Sequence, residues 1–558
     1  MKKLFLLLIV SLAACNQKQN EEVPAQRPNI LLIVADDLGF SDIGPFGGNI
    51  QTPVLNKLGT EAMRFSNFHV LPTCSPTRSS LLTGNDNHVA GVGIMSEVSY
   101  PAVANLPGYS GHLNDQVVTI PEILRGHGYH TYMAGKWHLG EDDGQTPADR
   151  GFEESFTLLQ GGGSHYADQK PLSPPQVMDY RVNGKRLASL PSDFYSTKNY
   201  TDTLIHYIDK HKADGNPFFI YASYTAPHDP LQAPKEYIDK YKGKFDMGWD
   251  SLRTLRLHNL KALGIVSQDI NSFAPSGIPQ WSTLSAEQQA EFAKDMEVYA
   301  AMIEYLDMSI GRLLDYLKQQ GMYDNTLIVF MSDNGANGVM ATTYPGNGDG
   351  KYLSSFNNAV ENRGLPNSFV EMGPGWAQAS SSPFRLFKSF ASEGGIKAPL
   401  MIKLPNDSLN QGQWNKSFVH VTDLMPTILH LTATSYPSQF KGKEVRQPIG
   451  KSLVPVLTGN AREVHSNKEG MGWELFERKA YIKGKWKILR LPAPFSTGQW
   501  QLFDLEKDPG ELTDLASKFP ATRDSLINDW LLYAKTNDVF DHRGHYDSLL
   551  SKSLVGDH

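Results

Sequence analysis

Cysteine is nearly missing from this chain: 558 residues carry two, Cys15 and Cys74. A surplus of basic charge is missing as well, with 52 Lys and Arg against 59 Asp and Glu and a net charge of −7. No basic stripe offers nucleic acid an electrostatic footprint, so nucleic acid is not an expected partner and a charged substrate must be met locally. No internal repeat or low-complexity run is visible, which excludes a repeat architecture. What is present is ordinary: 40% hydrophobic, 20% charged and 10% aromatic residues. That composition excludes disorder and collagen-like order, and the length permits one large core and a smaller second one.

The N-terminus, MKKLFLLLIVSLAAC, has two lysines, an apolar run too short to span a membrane permanently, and small residues before Cys15. It reads as a secretion signal over residues 1–15. The Leu12-Ala13-Ala14-Cys15 ending resembles a bacterial lipoprotein box, which implies cleavage before Cys15, acylation of that thiol, and a lipid-anchored exported protein of the periplasm or cell surface. A plain signal peptide cut near Ala13 or Ala14 is the alternative. Residues 16–27, mostly polar, read as a flexible tether. With Cys15 acylated, Cys74 has no partner in a compartment where thiols usually pair. Conversion of Cys74 into something other than a thiol would explain it.

Leu71 to Gly84, LPTCSPTRSSLLTG, reads as a loop opening a helix, with Pro76 at the first helical position. Cys74 then sits at a helix N-terminus, where free amide donors favour an anion. On these letters alone, a buried structural cysteine accounts for the motif equally well. Ile30 to Ala35 (ILLIVA) is an unbroken apolar run, suited to a strand buried on both faces, and it stops at Asp36-Asp37. Adjacent carboxylates repel, and a cation is the simplest relief; a helix cap with a solvated neighbour is the alternative.

Three further strands end in polar residues. Tyr129 to Met133 leads to Gly135-Lys136-Trp137-His138-Leu139-Gly140, Pro217 to Tyr224 leads to His228 between two prolines, and Thr326 to Met331 leads to Asp333-Asn334. Ser285 and Gln288 form a capping box for a long helix stopped by Gly321. Lys240 to Thr283 reads as an insertion or irregular loops. After about Thr434 the pattern changes to short strands, with a hairpin centred on Gly484 and a terminal helix from Pro520. Strands alternating with helices over the first 430 or so residues argue for an α/β sheet sandwiched by helices, whose ligands bind beyond the strand ends.

Taken together, these stretches resemble the formylglycine-dependent type I sulfatases of the alkaline phosphatase-like superfamily, in their bacterial arylsulfatase branch. Cys74, Pro76 and Arg78 match C-x-P-x-R, Gly135 to Gly140 match G-K-W-H-L-G, and Lys388 with Glu393-Gly394-Gly395 matches a later element. Lys397 departs from the pattern, where arginine is more usual, and loses the planar fork. The resemblance implies a large, mixed, mostly parallel sheet between helices as a catalytic domain over residues 28–434. A subdomain with a smaller antiparallel sheet would follow over 435–558.

It also implies that a formylglycine-generating enzyme oxidises Cys74 to formylglycine (3-oxoalanine). The hydrated aldehyde is a geminal diol: one oxygen attacks sulfur and the other later expels sulfate. Asp36, Asp37, Asp333 and Asn334, with Cys74, would hold Ca2+, with Mg2+ as the alternative. Lys136, Lys388 and His228 would grip the sulfate oxygens, Arg78 and Lys136 would steady the diol, His138 would be the base, and His228 or Lys388 the acid. The expected substrate is an aryl sulfate or a sulfated sugar, with Trp137, Trp376 and Tyr166 either lining the pocket or packing in the core. Two rival readings are a phosphonate monoester or phosphodiester hydrolase with the same nucleophile, and an inactive glycan-binding lipoprotein.

Overall fold

The computed structural model describes residues 27–274, 277–406 and 410–540. The expected signal peptide, Cys15 and almost all of the tether lie outside the described residues. Ten strands form one sheet: β1 (Asn29–Ala35), β2 (Met63–Phe65), β3 (His130–Lys136), β4 (Glu154–Leu158), β5 (Tyr180–Val182), β6 (Lys185–Arg186), β7 (Phe218–Ser223), β8 (Thr326–Ser332), β9 (Leu400–Lys403) and β10 (Trp414–Asn415). Their spatial order is β10-β2-β9-β8-β1-β7-β3-β4-β5-β6. The central five, β8, β1, β7, β3 and β4, are parallel, and antiparallel partners flank them at β9 and β5. This is the large mixed sheet the resemblance implied.

Register decides where the site forms. Ala35 pairs with Ser332, Val34 with Ser223, and Gly135 with the same Ser223, so β1, β8, β7 and β3 finish almost level. The residues after those strands are delivered to one edge. β1, β7 and β8 are buried along nearly their whole length, as unbroken apolar runs require. Gly135 permits the close packing: its φ is +118° and a Cβ there would lie 1.7 Å from the Ser223 carbonyl oxygen.

Five helices bear on the site and its support: α1 (Cys74–Thr83), α2 (Ser196–His211), α3 (Gly248–Ala262), α4 (Ala286–Gln319) and α5 (Pro520–Thr536). The capping box of Ser285 with Gln288 opens α4, and Gly321 lies just past its end at φ +68°. Three local expectations need correction. The strand expected over Tyr129 to Met133 runs on to Lys136, because pairing with β7 continues to Gly135. Helix α1 begins at Cys74, which places Pro76 third; the first turn has no intrahelical use for its amide hydrogens, so proline is tolerated there. Lys240 to Thr283 contains the 15-residue α3. Its inner face carries Trp249, Leu252 and Leu260 but also Arg256, fully buried against Asp42, and that cation hides the apolar period.

Beyond the large sheet, β11 (Gly470–Leu475), β12 (Arg478–Lys483), β13 (Trp486–Arg490) and β14 (Gln501–Asp504) form an antiparallel sheet in sequential order, with Gly484 at φ +58° in the β12–β13 turn. Helix α5 packs on it through Leu526 and Trp530. No helix of the described residues is long and apolar enough to cross a membrane.

Candidate active site

The level strand ends bring the singled-out residues together. Asp36 and Asp37 follow β1, Asp333 and Asn334 follow β8, Lys136 closes β3, and His228 lies five residues beyond β7. Lys136 Nζ donates to Asp36 Oδ2 at 2.8 Å and Oδ1 at 3.1 Å. Lys388 Nζ donates to Asp37 Oδ2 at 2.8 Å. Arg78, one turn into α1, donates through Nε and Nη2 to Asp333 Oδ2 at 3.0 and 2.7 Å, and through Nη1 to the Lys136 carbonyl at 3.2 Å. The Cys74 thiol donates to Asp36 Oδ1 at 3.3 Å and lies 3.8 Å from Asp37 Oδ1. Thr77 ties the preceding loop back, accepting from the Leu71 amide at 2.9 Å.

Three carboxylates and three permanent cations thus share one buried pocket. Burial drives Asp36 upward, but Lys136, His228 and Arg78 outweigh it and hold the carboxylate far below its ordinary range. Asp37 is raised, since burial and Asp36 prevail over Lys388. Asp333 is pushed up to about 7 by burial and by Asp36, despite Arg78. Burial also raises the Cys74 thiol well above its usual value, which keeps it protonated and a poor nucleophile as it stands.

The acids are therefore only partly compensated, and Asn334 Oδ1 is buried with no hydrogen-bond partner among the described residues. Carboxylates and an amide oxygen are hard donors, and this set fits Ca2+ or Mg2+ better than Zn2+. The ligand atoms already within 4.8 Å of one another come from Asp36, Asp37, Cys74 and His228. Asp333 and Asn334 border this group through Asp37, whose amide donates to Asp333 Oδ1 at 3.2 Å and whose Oδ1 accepts from Asn334 Nδ2 at 2.6 Å. Asp37 adopts φ +66°, a left-handed turn that sets its carboxylate beside that of Asp36.

The two histidines are held in defined tautomers. His228 Nδ1 lies 2.6 Å from the Asp229 carbonyl oxygen, which can only accept, so Nδ1 carries the proton. Nε2 is left to accept from Lys388 Nζ at 3.2 Å. Burial and Lys388 lower His228 to about 3, so the ring is neutral. His138 Nε2 stands 3.1 Å from each Glu97 oxygen, and its Nδ1 is buried without a partner among the described residues. Burial raises Glu97, but His138 outweighs it and holds the carboxylate at about 2.

Glu97, in the short turn Ser96–Val98, was not legible as a site residue, and neither was the Gly161-Gly162 pair. A Cβ on Gly161 would come within 2.8 Å of His138 Cε1, and one on Gly162 within 3.2 Å of His228 Cε1. Consecutive glycines signal a close approach, but the letters do not say of what. Glu393 lies away from the nest: it accepts from Lys487 at 2.8 Å on β13 and pairs with His69 at 3.0 Å and Lys397 at 3.1 Å. The nest opens into a cavity of about 520 Å³ lined by Cys74, His138, His228 and Lys388. Trp137, Trp376 and Tyr166 take no part in that lining; Trp137 packs on Phe152 and Trp376 on Trp249.

A buried thiol at a helix start, flanked by acids able to hold a cation and by amines able to grip an oxyanion, defines a hydrolase of oxyanion esters. The sulfatase family profile matches residues 28–434, and the profile for the N-sulphoglucosamine sulphohydrolase C-terminal region matches 384–529. The chain belongs to the sulfatase family. An uncharacterized sulfatase of Schizosaccharomyces pombe is 42% identical over 536 residues, covering 93% of this chain and 96% of its own. The arylsulfatase of Klebsiella aerogenes is 39% identical over 448 residues, covering 80% and 95%. Among solved structures, Ps i-CgsB in complex with k-i-k-neocarrahexaose shares the fold, with a TM-score of 0.65, 23% identity and 95% and 98% coverage.

Proposed function

We propose that the chain hydrolyses sulfate monoesters, arylsulfatase-fashion, through Cys74 oxidised to formylglycine and a divalent cation, Ca2+ with Mg2+ as the alternative. The convergence of Arg78, Lys136, Lys388 and His228 on Cys74 and three carboxylates at one sheet edge carries this reading. Cys74 Sγ stands where the oxygens of hydrated formylglycine would be, and the second of those oxygens supplies the route by which sulfate leaves. A dication held by Asp36, Asp37, Asp333, Asn334 and Cys74 would supply Lewis acidity. Its charge would relieve the crowded acids and leave the cations free to draw in a monoanionic sulfate ester.

The chain's own residues divide the remaining work. Lys136, Lys388 and His228 hold sulfate oxygens, while Arg78 and Lys136 steady the nucleophile against α1. His138 offers Nδ1 as the base, since Glu97 occupies Nε2. Of the two candidate acids, Lys388 bears the proton in this arrangement, because His228 Nε2 is already an acceptor. The organic half is an aryl group by likeness to the Klebsiella enzyme, with a carbohydrate as the second class by likeness to the neocarrahexaose-binding structure. Maturation would require a formylglycine-generating enzyme. Residues 1–15 and Cys15 support export with lipid anchoring, ahead of a catalytic domain at 28–434 and a subdomain at 435–558.

Two measurements test this reading on natively produced protein: the mass of the Cys74 peptide, and turnover of nitrophenyl sulfate against nitrophenyl phenylphosphonate. Formylglycine at position 74 and faster sulfate turnover are expected. An unmodified thiol in active protein would refute the mechanism, and a phosphonate preference would move the chain to the rival hydrolase class.

A further inference from the structure

The cavity above Cys74 is charged in an uneven way. Among the described residues lining it, Lys388 is the only lysine or arginine, and its ammonium already serves Asp37. Three carboxylates line the same space: Glu97, Glu141 and Asp142. Glu97 is engaged by the His138 ring, whose Nε2 lies 3.1 Å from each of its oxygens. The other two have no such partner among the described residues. Among the described residues, the Glu141 carboxylate accepts only from the neutral donors Gln160 Nε2 at 2.9 Å and Ser96 Oγ at 3.3 Å. Asp142 is exposed, and among the described residues no cation comes within ion-pair distance of its carboxylate. The remaining wall includes Met95, Val98, Pro174, Val339 and Phe476, all apolar.

We propose that this chamber sorts substrates by the charge of the leaving group. It takes singly sulfated esters whose organic part is apolar and neutral or cationic, and it turns away esters carrying a second anionic group, with Glu141 and Asp142 as the specificity-determining residues. The inference rests on the sulfatase reading and deepens it. Among the residues lining the chamber, the one fixed positive charge, Lys388, stands beside Cys74, where the reacting sulfate would engage it. A second sulfate or carboxylate on the leaving group would stand in the chamber facing two uncompensated carboxylates across low-dielectric walls, which concentrate the repulsion. An apolar ring would instead be desolvated against Met95, Val98 and Phe476. A polysulfated chain fails on both counts.

The test uses the full chain with formylglycine verified by mass at position 74. Three phenyl sulfates are compared, para-substituted with a neutral carboxamidomethyl, an anionic carboxymethyl or a cationic aminoethyl group. At low salt kcat/KM for the neutral and cationic esters should exceed that for the anionic ester by about tenfold or more. The gap should narrow at about 0.5 M salt, where the Debye length falls below 5 Å or so. It should also narrow in the E141Q/D142N double variant, which keeps both side-chain shapes. Equal or faster hydrolysis of the anionic ester, or a gap unmoved by the double variant, would overturn the charge sorting while leaving the sulfatase reading intact. No turnover of any of the three would overturn the sulfatase reading, and the sorting with it.

Discussion

Glu97 and His138 show how one side chain sets the chemistry of another. An ionised carboxylate accepts hydrogen bonds and never donates them, so the nitrogen facing Glu97 must carry a proton, which leaves Nδ1 as the ring position open to base chemistry. The His138 backbone lies at φ +57°, a conformation costly for a non-glycine residue, and the Glu97 contact on its ring helps retain it. Replacing Glu97 by Gln keeps the bulk but offers an amide that can face the ring either way. We expect kcat to fall by at least about tenfold with KM little changed, and Glu97→Asp to recover part of the loss. Steady-state kinetics checks this, and 15N shifts of the His138 ring should show Nδ1 losing its unprotonated character in the Gln variant. Unchanged kcat in Glu97→Gln would mean that His138 needs no orienting partner.

Strands and turns place those side chains, and two glycines separate folding from catalysis. At Gly135 any side chain collides with the main chain of β7, and rigid backbone cannot give way. At Gly161 the obstacle is the His138 ring and the Glu97 carboxylate, which can swing aside. Gly135→Ala should therefore cost about 2 kcal/mol or more, seen as a lower denaturation midpoint. Gly161→Ala should keep a midpoint near wild type yet lose most of its kcat, because the displaced pair no longer holds the His138 ring in its place on the cavity wall. Similar stability losses in both would defeat the distinction. Helix α3 carries the converse lesson: Arg256 on its buried face pairs through Nη1 with Asp42 and Ser380. A pattern search penalises that arginine, whereas the tertiary contact makes it a brace for the loop behind Asp36 and Asp37.

The small sheet is part of the active-site foundation. Trp473 on β11 donates to the Val70 carbonyl at 2.9 Å, and Arg478 on β12 to the Ser389 carbonyl at 2.6 Å, so it grips the two segments that deliver Cys74 and Lys388. Lys487 on β13, fully buried, joins Glu393 at 2.8 Å and Glu511 at 2.7 Å. A further junction is His88, with Nδ1 2.8 Å from Asp86 and Nε2 3.5 Å from Glu474 on β11, while Tyr533 of α5 donates to Asp86 at 2.8 Å. Burial lowers His88, but Asp86 and Glu474 prevail and raise it to about 9. A group raised on folding contributes fully below its unfolded value near 6.5 and loses that contribution as pH climbs through about 9. Wild-type stability should fall between pH 7 and 10 by an amount on the order of 3 kcal/mol, and His88→Gln should flatten that fall. Chemical denaturation of both proteins across this range is the measurement; parallel curves would refute the assignment.

The letters alone determined the buried strands, because apolar runs bounded by turn residues leave few other structures, and they determined most of the nest, because each polar cluster comes directly after such a run. They also marked Cys74 as out of place. What only the tertiary structure decided was everything that depends on chain segments distant in sequence: the level register that brings Asp36, Lys136, His228 and Asp333 to one edge, the pairing of Glu97 with His138, the burial of Arg256, and the diversion of Glu393 into a brace. Hydrophobic period is a local property and survives in one dimension. Hydrogen-bond partners and compensating charges are chosen by proximity in space, which the order of residues along the chain does not record.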